Sequence, residues 1–329
     1  MIKSPFVRVL FFAVVILQFL GCAETSNKRV IKLAHGLDVS HPVHKAMVFM
    51  GERLAEKSGG KMSLDIYPSQ QLGSERECLE LLQIGSLGMT KVSTGVLENF
   101  APQLKVFGLP FLFRDAAHRF DVLEGPIGEE LLNASVPQRL KGLTFYDAGS
   151  RSFYTKEPIE SPQDLQGLKL RVMESQTAIN MVKNLGGSPT PISWGELYTA
   201  LQQGVVDGAE NNLPSFYLSH HYEVCKYYLV DEHTALPDEL LIGTLLWNDL
   251  SPEEQKWVKE AAMESAEFEK EIWHEAEMEA LTEIKKAGVE VTYPDKESFR
   301  ELVKPMYEEF KQNPEMKRLI EEIQNVTTN

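Results

Sequence analysis

An arginine set in a short apolar run is the first feature of this chain that could do chemistry. The run reads Leu168-Lys169-Leu170-Arg171-Val172-Met173. Its alternation, entered through Pro162 and Gly167, predicts a strand. If Leu168, Leu170 and Val172 face a core, Arg171 faces the other way. A strand end holds a guanidinium more firmly than a loop does. The planar fork of arginine matches a carboxylate with two parallel charge-assisted bonds. The pattern describes a carboxylate clamp on a rigid element. Taken alone, it equally describes a surface arginine on a polar strand face, and that is the commoner case.

The following elements bear on where Arg171 sits. Gly186-Gly187-Ser188-Pro189-Thr190-Pro191 reads as a turn cluster. Ser193 is predicted to cap a helix over Trp194 to Gln203, with Glu196 at the capping-box position and Gly204 as the stop. Val205 to Asn212 reads as a short strand breaking into a polar loop. This is a β-α-β order, and its strand ends converge on one edge. Arg171 and Asn211 should meet where an open α/β sheet binds ligands.

Five motifs in order carry a family resemblance. They are Tyr67-Pro68-Ser69-Gln70-Gln71-Leu72-Gly73, Gly85-Ser86-Leu87-Gly88-Met89, Leu109-Pro110-Phe111-Leu112-Phe113, Leu168 to Val172, and Ala200-Leu201-Gln202-Gln203-Gly204-Val205-Val206-Asp207-Gly208. Each is weak alone. Together the chain resembles the solute-binding proteins of TRAP transporters, the tripartite ATP-independent uptake systems. The segments Ser40 to Met47, Gly73 to Leu79 and Asp147 to Tyr154 resemble the branch that binds hexuronates.

The resemblance implies that Arg171 is the fixed arginine on the ligand carboxylate. It implies a second basic contact at Arg151, a polar contact at Asn211 and an aromatic packing on the ligand at Trp194. From the opposite lobe, His35, Glu75, Lys91 and Ser93 are expected, because each lies just past a strand or at a helix start. Glu75 could accept bonds from two adjacent sugar hydroxyls. It is also explained as a helix-start acid favoured by the macrodipole. His35, Lys91 and Ser93 likewise have structural readings.

Lys3 and Arg8 followed by the apolar run Val9 to Leu20 read as a signal peptide over residues 1–21. Phe19-Leu20-Gly21-Cys22 resembles a lipobox, which would leave Cys22 as a lipidated first residue. Cleavage after Ala23 is the other reading. The expected location is the periplasm or extracytoplasmic face. Removing residues 1–21 takes the net charge from −15 to −17. So acidic a chain argues against nucleic acid or an anionic membrane as partner. An anionic ligand must then be drawn by a local basic pocket. Cys78 and Cys225 are far apart in sequence and are expected as buried free thiols. His41-Pro42-Val43-His44 and His220-His221 are weak metal signals, better explained by capping and surface positions. No cofactor or metal is expected.

Alternating strands and helices over this length predict an α/β protein in two lobes joined by a hinge. The expected division is residues 22–148 plus 237–276 for lobe I and 149–236 plus 277–329 for lobe II. Leu240 to Trp247 is expected as a strand and Gly288 to Tyr293 as the last one, followed by a charged C-terminal helix. From the capping box Ser251-Pro252-Glu253-Glu254 a helical pattern runs to Gly288. At about 36 residues it would be roughly 54 Å long. Such a helix crossing both lobes is what the resemblance implies.

The expectation is a monomeric, non-enzymatic binding protein. It would capture an organic acid, D-glucuronate or D-galacturonate, by hinge closure and pass it to TRAP membrane subunits. An aldonate or C4-dicarboxylate is the alternative ligand class. A secreted uronate-processing enzyme is the alternative function, weakened because Glu75 and Glu77 point apart on a helix and form no acid–base pair.

Overall fold

Short β-branched strands and amphipathic helices sort here into two sheets, described by a computed structural model over residues 28–327. The signal segment and the Cys22 site lie outside the described residues. In chain order the strands are β1 (Arg29–Ala34), β2 (Met62–Tyr67), β3 (Met89–Ser93), β4 (Leu140–Tyr146), β5 (Arg151–Thr155), β6 (Lys169–Val172), β7 (Ser188–Pro191), β8 (Gly208–Asn211), β9 (Tyr227–Thr234), β10 (Asp238–Gly243) and β11 (Glu290–Thr292). One sheet runs β2-β1-β3-β10-β4 and the other β11-β9-β5-β8-β6-β7. This is the expected two-lobed α/β fold, with one sheet in each lobe.

The hinge is a bent antiparallel ribbon. β4 pairs with β10, placing Tyr146 opposite Asp238, and β5 pairs with β9, placing Arg151 opposite Thr234. Residues 147–150 and 235–237 are the two crossings between sheets. Gly149 sits in the first, with φ of +56°. A Cβ there would lie 2.5 Å from Glu277 and 3.0 Å from Trp273 on the long helix. Both the backbone conformation and the close approach require glycine.

That helix, Pro252–Lys286, is the third crossing. Ser251 and Glu254 form its capping box, with Pro252 in its first turn. Val258, Ala261, Ala262 and Trp273 pack in the core of the first lobe, while Ile284 packs in a core of the second. One continuous helix therefore braces both lobes.

Four expectations are corrected. The Ser188–Pro191 turn cluster is instead an edge strand, parallel to β6. Prolines 189 and 191 are tolerated because that strand has only one neighbour, and Ser188 and Ile192 supply the N–H bonds to Leu168 and Val172. The strand expected to reach Trp247 stops at Gly243, and Thr244–Asp249 is helical. A short apolar run does not reveal its period. The single C-terminal helix is two, Lys296–Phe310 and Pro314–Asn325, broken before Pro314. The last of these touches the first lobe: His118 bonds the Ile323 carbonyl at 2.8 Å, and Arg114 reaches the carbonyls of Gln324 and Val326. The expected division had counted it with lobe II. Cys78 and Cys225 are buried and free, and burial pushes their thiols up to about 11 and about 12.

Candidate functional site

β6 lies between β7 and β8, with Arg171 paired to Thr190 on one side and Ala209 on the other. Its side chain is buried in the cleft between the lobes. Nε donates to the Ile192 carbonyl at 2.8 Å, which fixes the plane of the guanidinium. Both Nη groups are left without a partner among the described residues. The Trp194 ring lies 5.7 Å from the guanidinium carbon, and His221 packs 5.0 Å from Trp194. Burial pulls Arg171 below the ordinary arginine value, opposed first by Glu210. An arginine still holds its proton at physiological pH. The fork is fixed, charged and aimed at the cleft.

Arg151, at the start of β5, is by contrast almost fully engaged. It donates from Nε to Glu210 Oε2 at 2.5 Å, from Nη2 to Glu210 Oε1 at 2.9 Å, and from Nη1 to Asn211 Oδ1 at 2.8 Å. Behind Glu210 lies His233, whose Nδ1 is 2.8 Å from Asp231 Oδ2. Burial would raise Glu210, but Arg151 and then His233 hold it down at about 2. Burial would lower His233, but Asp231 holds it up at about 9. Four alternating charges thus stand in line behind the cleft wall. Asn211 Oδ1 also accepts from the Asn212 amide at 2.9 Å. With its oxygen bonded twice, Asn211 has its Nδ2 donors left for the cleft.

The opposite wall belongs to lobe I. Lys91 on β3 is buried and bonds Asp238 Oδ2 at 2.6 Å, with Glu75 Oε1 at 3.5 Å. Glu75 opens the helix Glu75–Gln83 and accepts from the Ser93 amide at 3.2 Å. Ser93 Oγ accepts from the Gly95 amide and lies 3.6 Å from Met173 Sδ of the other lobe.

Seven of the eight expected residues, all but His35, line this one cleft. His35 is buried behind it. Its Nδ1 accepts from the Leu37 amide at 3.1 Å, so Nε2 carries the proton and donates to His44 Nδ1 at 3.0 Å. Burial, then Lys91, lowers it to about 3, so it stays neutral. Its position just past β1 is right, but its ring turns inward to hold a loop.

The sequence reading missed Asp238, His41, Ser215 and Gln70. The acids Asp238 and Glu239, heading the apolar run Leu240-Leu241-Ile242, were a legible signal. His41 was read only as a cap, which it is; its Nε2 also lies 3.3 Å from Ser215 Oγ across the cleft. Gln70 stood inside a quoted motif. With φ of +57° it reaches over and accepts from the Gly195 amide at 3.1 Å. Ser193 does not complete the expected capping box, because its Oγ donates to Glu196 instead.

The family described as bacterial extracellular solute-binding protein, family 7, matches residues 33–313. A relative from Salmonella typhimurium, the uncharacterized protein YiiZ, is 41% identical over 98% of each chain. A TRAP periplasmic solute binding protein from Bradyrhizobium sp. BTAi1, solved with D-galacturonate, is 40% identical with a TM-score of 0.89. It covers 91% of this chain and 100% of its own. One from Pseudomonas putida F1, solved with D-glucuronate, is 35% identical with a TM-score of 0.88, covering 91% and 98%.

Proposed function

The chain belongs to the bacterial extracellular solute-binding proteins of family 7, and from that premise we propose that it is the binding subunit of a TRAP uptake system that captures D-glucuronate or D-galacturonate. The observation that carries this reading is the fixed, unshared fork of Arg171 in a cleft whose far wall is polar. The uronates bound in its solved relatives support it.

In this reading the ligand carboxylate pairs with Arg171, and the free N–H of Arg151 and Nδ2 of Asn211 add donors. Trp194 covers the apolar face of the ring. Glu75, Lys91, Asp238 and Ser93 take hydroxyls. A charged hydrogen bond contributes roughly 1.5–3 kcal/mol net, and micromolar affinity requires about 8 kcal/mol. Arg171 alone is insufficient, so the hydroxyl contacts are required. The lobes, divided at 148/149 and 236/237, close about the hinge ribbon, and contacts across the cleft shift the equilibrium toward the closed form. The protein hands its ligand to membrane subunits without turning it over. Its place is extracytoplasmic, with an anchor at Cys22.

A thermal-shift screen tests the reading. Either uronate at about 100 times its dissociation constant should stabilise by about 2.7 kcal/mol. Succinate, malate and pyruvate should not, because they leave buried polar groups unpaired. Glucose and galactose should fail for want of a carboxylate. Stabilisation by a hydroxyl-poor acid, with none by either uronate, would overturn it.

A further inference from the structure

The charges that line and back the cleft are already balanced before any anion enters. The cations are the buried Arg151, Arg171, Lys91 and His233; the carboxylates are the buried Glu210, Asp231 and Asp238 and the half-buried Glu75, whose side chain is 19% exposed. Each carboxylate but one has a close cation. Glu210 is 2.5 Å from Arg151, Asp231 is 2.8 Å from His233, and Asp238 is 2.6 Å from Lys91. Glu75 shares Lys91 with Asp238, from the greater distance of 3.5 Å. A monoanionic ligand that takes Arg171 therefore leaves one negative charge uncompensated in a closed, dry cleft. Such a charge is costly, and in practice the group with the weakest partner takes a proton.

We propose that Glu75 binds a proton from solvent when the uronate binds, and meets the sugar as a neutral acid that donates one hydrogen bond. The inference rests on the uronate reading given above. Oε1 keeps its bond from the Ser93 amide. Oε2 has no partner among the described residues and is the oxygen that carries the proton.

The surroundings of Glu75 favour this assignment. Lys91 from β3 and Asp238 from β10 face it across the first lobe, Lys91 favouring its anion and Asp238 opposing it. Arg171 from the second lobe stabilises its anion in the free protein, but the ligand carboxylate neutralises that influence on binding. Glu174 and Arg76 also line the cleft; Glu77, on the same helix, bonds Ser74 instead. Cys78, one residue beyond Glu77, is a neutral thiol. Burial is the largest influence on Glu75 and already shifts it upward.

Titration calorimetry with D-galacturonate and D-glucuronate between about pH 5.5 and 8, at each pH in two buffers that titrate there and differ in ionisation enthalpy, tests the proposal. The expected result is proton uptake that grows with pH toward one per ligand, and affinity that weakens toward tenfold per pH unit at the upper end. Glu75→Gln, which cannot take up the proton, should lose the buffer dependence and the fall of affinity with pH. Binding heats in the wild type that are independent of buffer across this range would overturn the proposal while leaving the uronate reading intact. So would a buffer dependence that survives in Glu75→Gln. No heat with either uronate would overturn the reading and the proposal together.

Discussion

Gln70 of lobe I caps the helix Trp194–Gln202 of lobe II, its Oε1 accepting from the Gly195 amide at 3.1 Å. The first N–H groups of a helix have no partner within it. Here Ser193 gives its hydroxyl to Glu196, and the other lobe supplies the cap. The bond joins the two lobes, so an opening that parts them would break it.

Gln70→Ala should therefore cost closure and not folding. A lost cap is worth about 1 kcal/mol, or roughly a fivefold loss of affinity. Most of it should appear as faster dissociation, read by stopped-flow release of bound uronate. The melting temperature without ligand should hold. Gly195→Ala should act similarly, since its Cβ would lie 2.3 Å from Gln70 Oε1 and would push that side chain off the amide. Equal affinities in Gln70→Ala and wild type would remove the cap from the mechanism.

Arg171→Lys keeps the charge and loses the fork. Nε also loses its bond to Ile192, so the plane that aims the group is gone. We expect at least a tenfold fall in uronate affinity by calorimetry, with folding intact by circular dichroism. An unchanged affinity would take Arg171 out of the site.

How much of this was legible depended on whether a residue's job is local. Arg171 and Asn211 were readable because one β-α-β unit fixes both, and strand ends in such a unit must converge. The long helix was readable from its capping box and its freedom from glycine and proline. Gln70 and Ser215 were not, because their partners lie 125 and 174 residues away and no local pattern reports them. His35 lies behind the cleft lining for a different reason. Its place past β1 was right, but side-chain direction in a loop follows from hydrogen bonds to Leu37 and His44 that spacing does not reveal.

Anchoring has its own test. If Cys22 is the lipidated first residue, protein from the native host partitions into membrane or detergent fractions. Cys22→Ala should release it in soluble form. A mature N-terminus at Glu24, found by mass spectrometry, would assign the other cleavage.

The charged line behind Arg151 makes stability depend on pH at both ends. Glu210 is held at about 2, below its ordinary 4.5. Its contribution is present above 4.5 and is lost as pH falls toward 2, because the unfolded chain takes up the proton first. His233 is held at about 9, above its ordinary 6.5. Its contribution is complete below 6.5 and is lost as pH rises toward 9, because the unfolded chain releases the proton first. Glu239, buried with both carboxylate oxygens unpartnered, is pushed well above the ordinary carboxylate range and adds loss of the same alkaline sign. Each proton gives a slope of about 1.4 kcal/mol per pH unit. Because the Glu239 loss begins at its ordinary 4.5, chemical denaturation at stepped pH should show a maximum near 4.5, a fall on the acid side, and an alkaline fall that steepens above about 6.5. Glu239→Leu should lessen the alkaline fall and leave the acid limb alone. His233→Gln should remove the part that Glu239 does not explain, at the cost of leaving Asp231 and Glu210 without their shared cation. An alkaline fall no steeper above 6.5 than below it would mean that His233 is neutral in the folded protein, and that Arg151 alone holds Glu210.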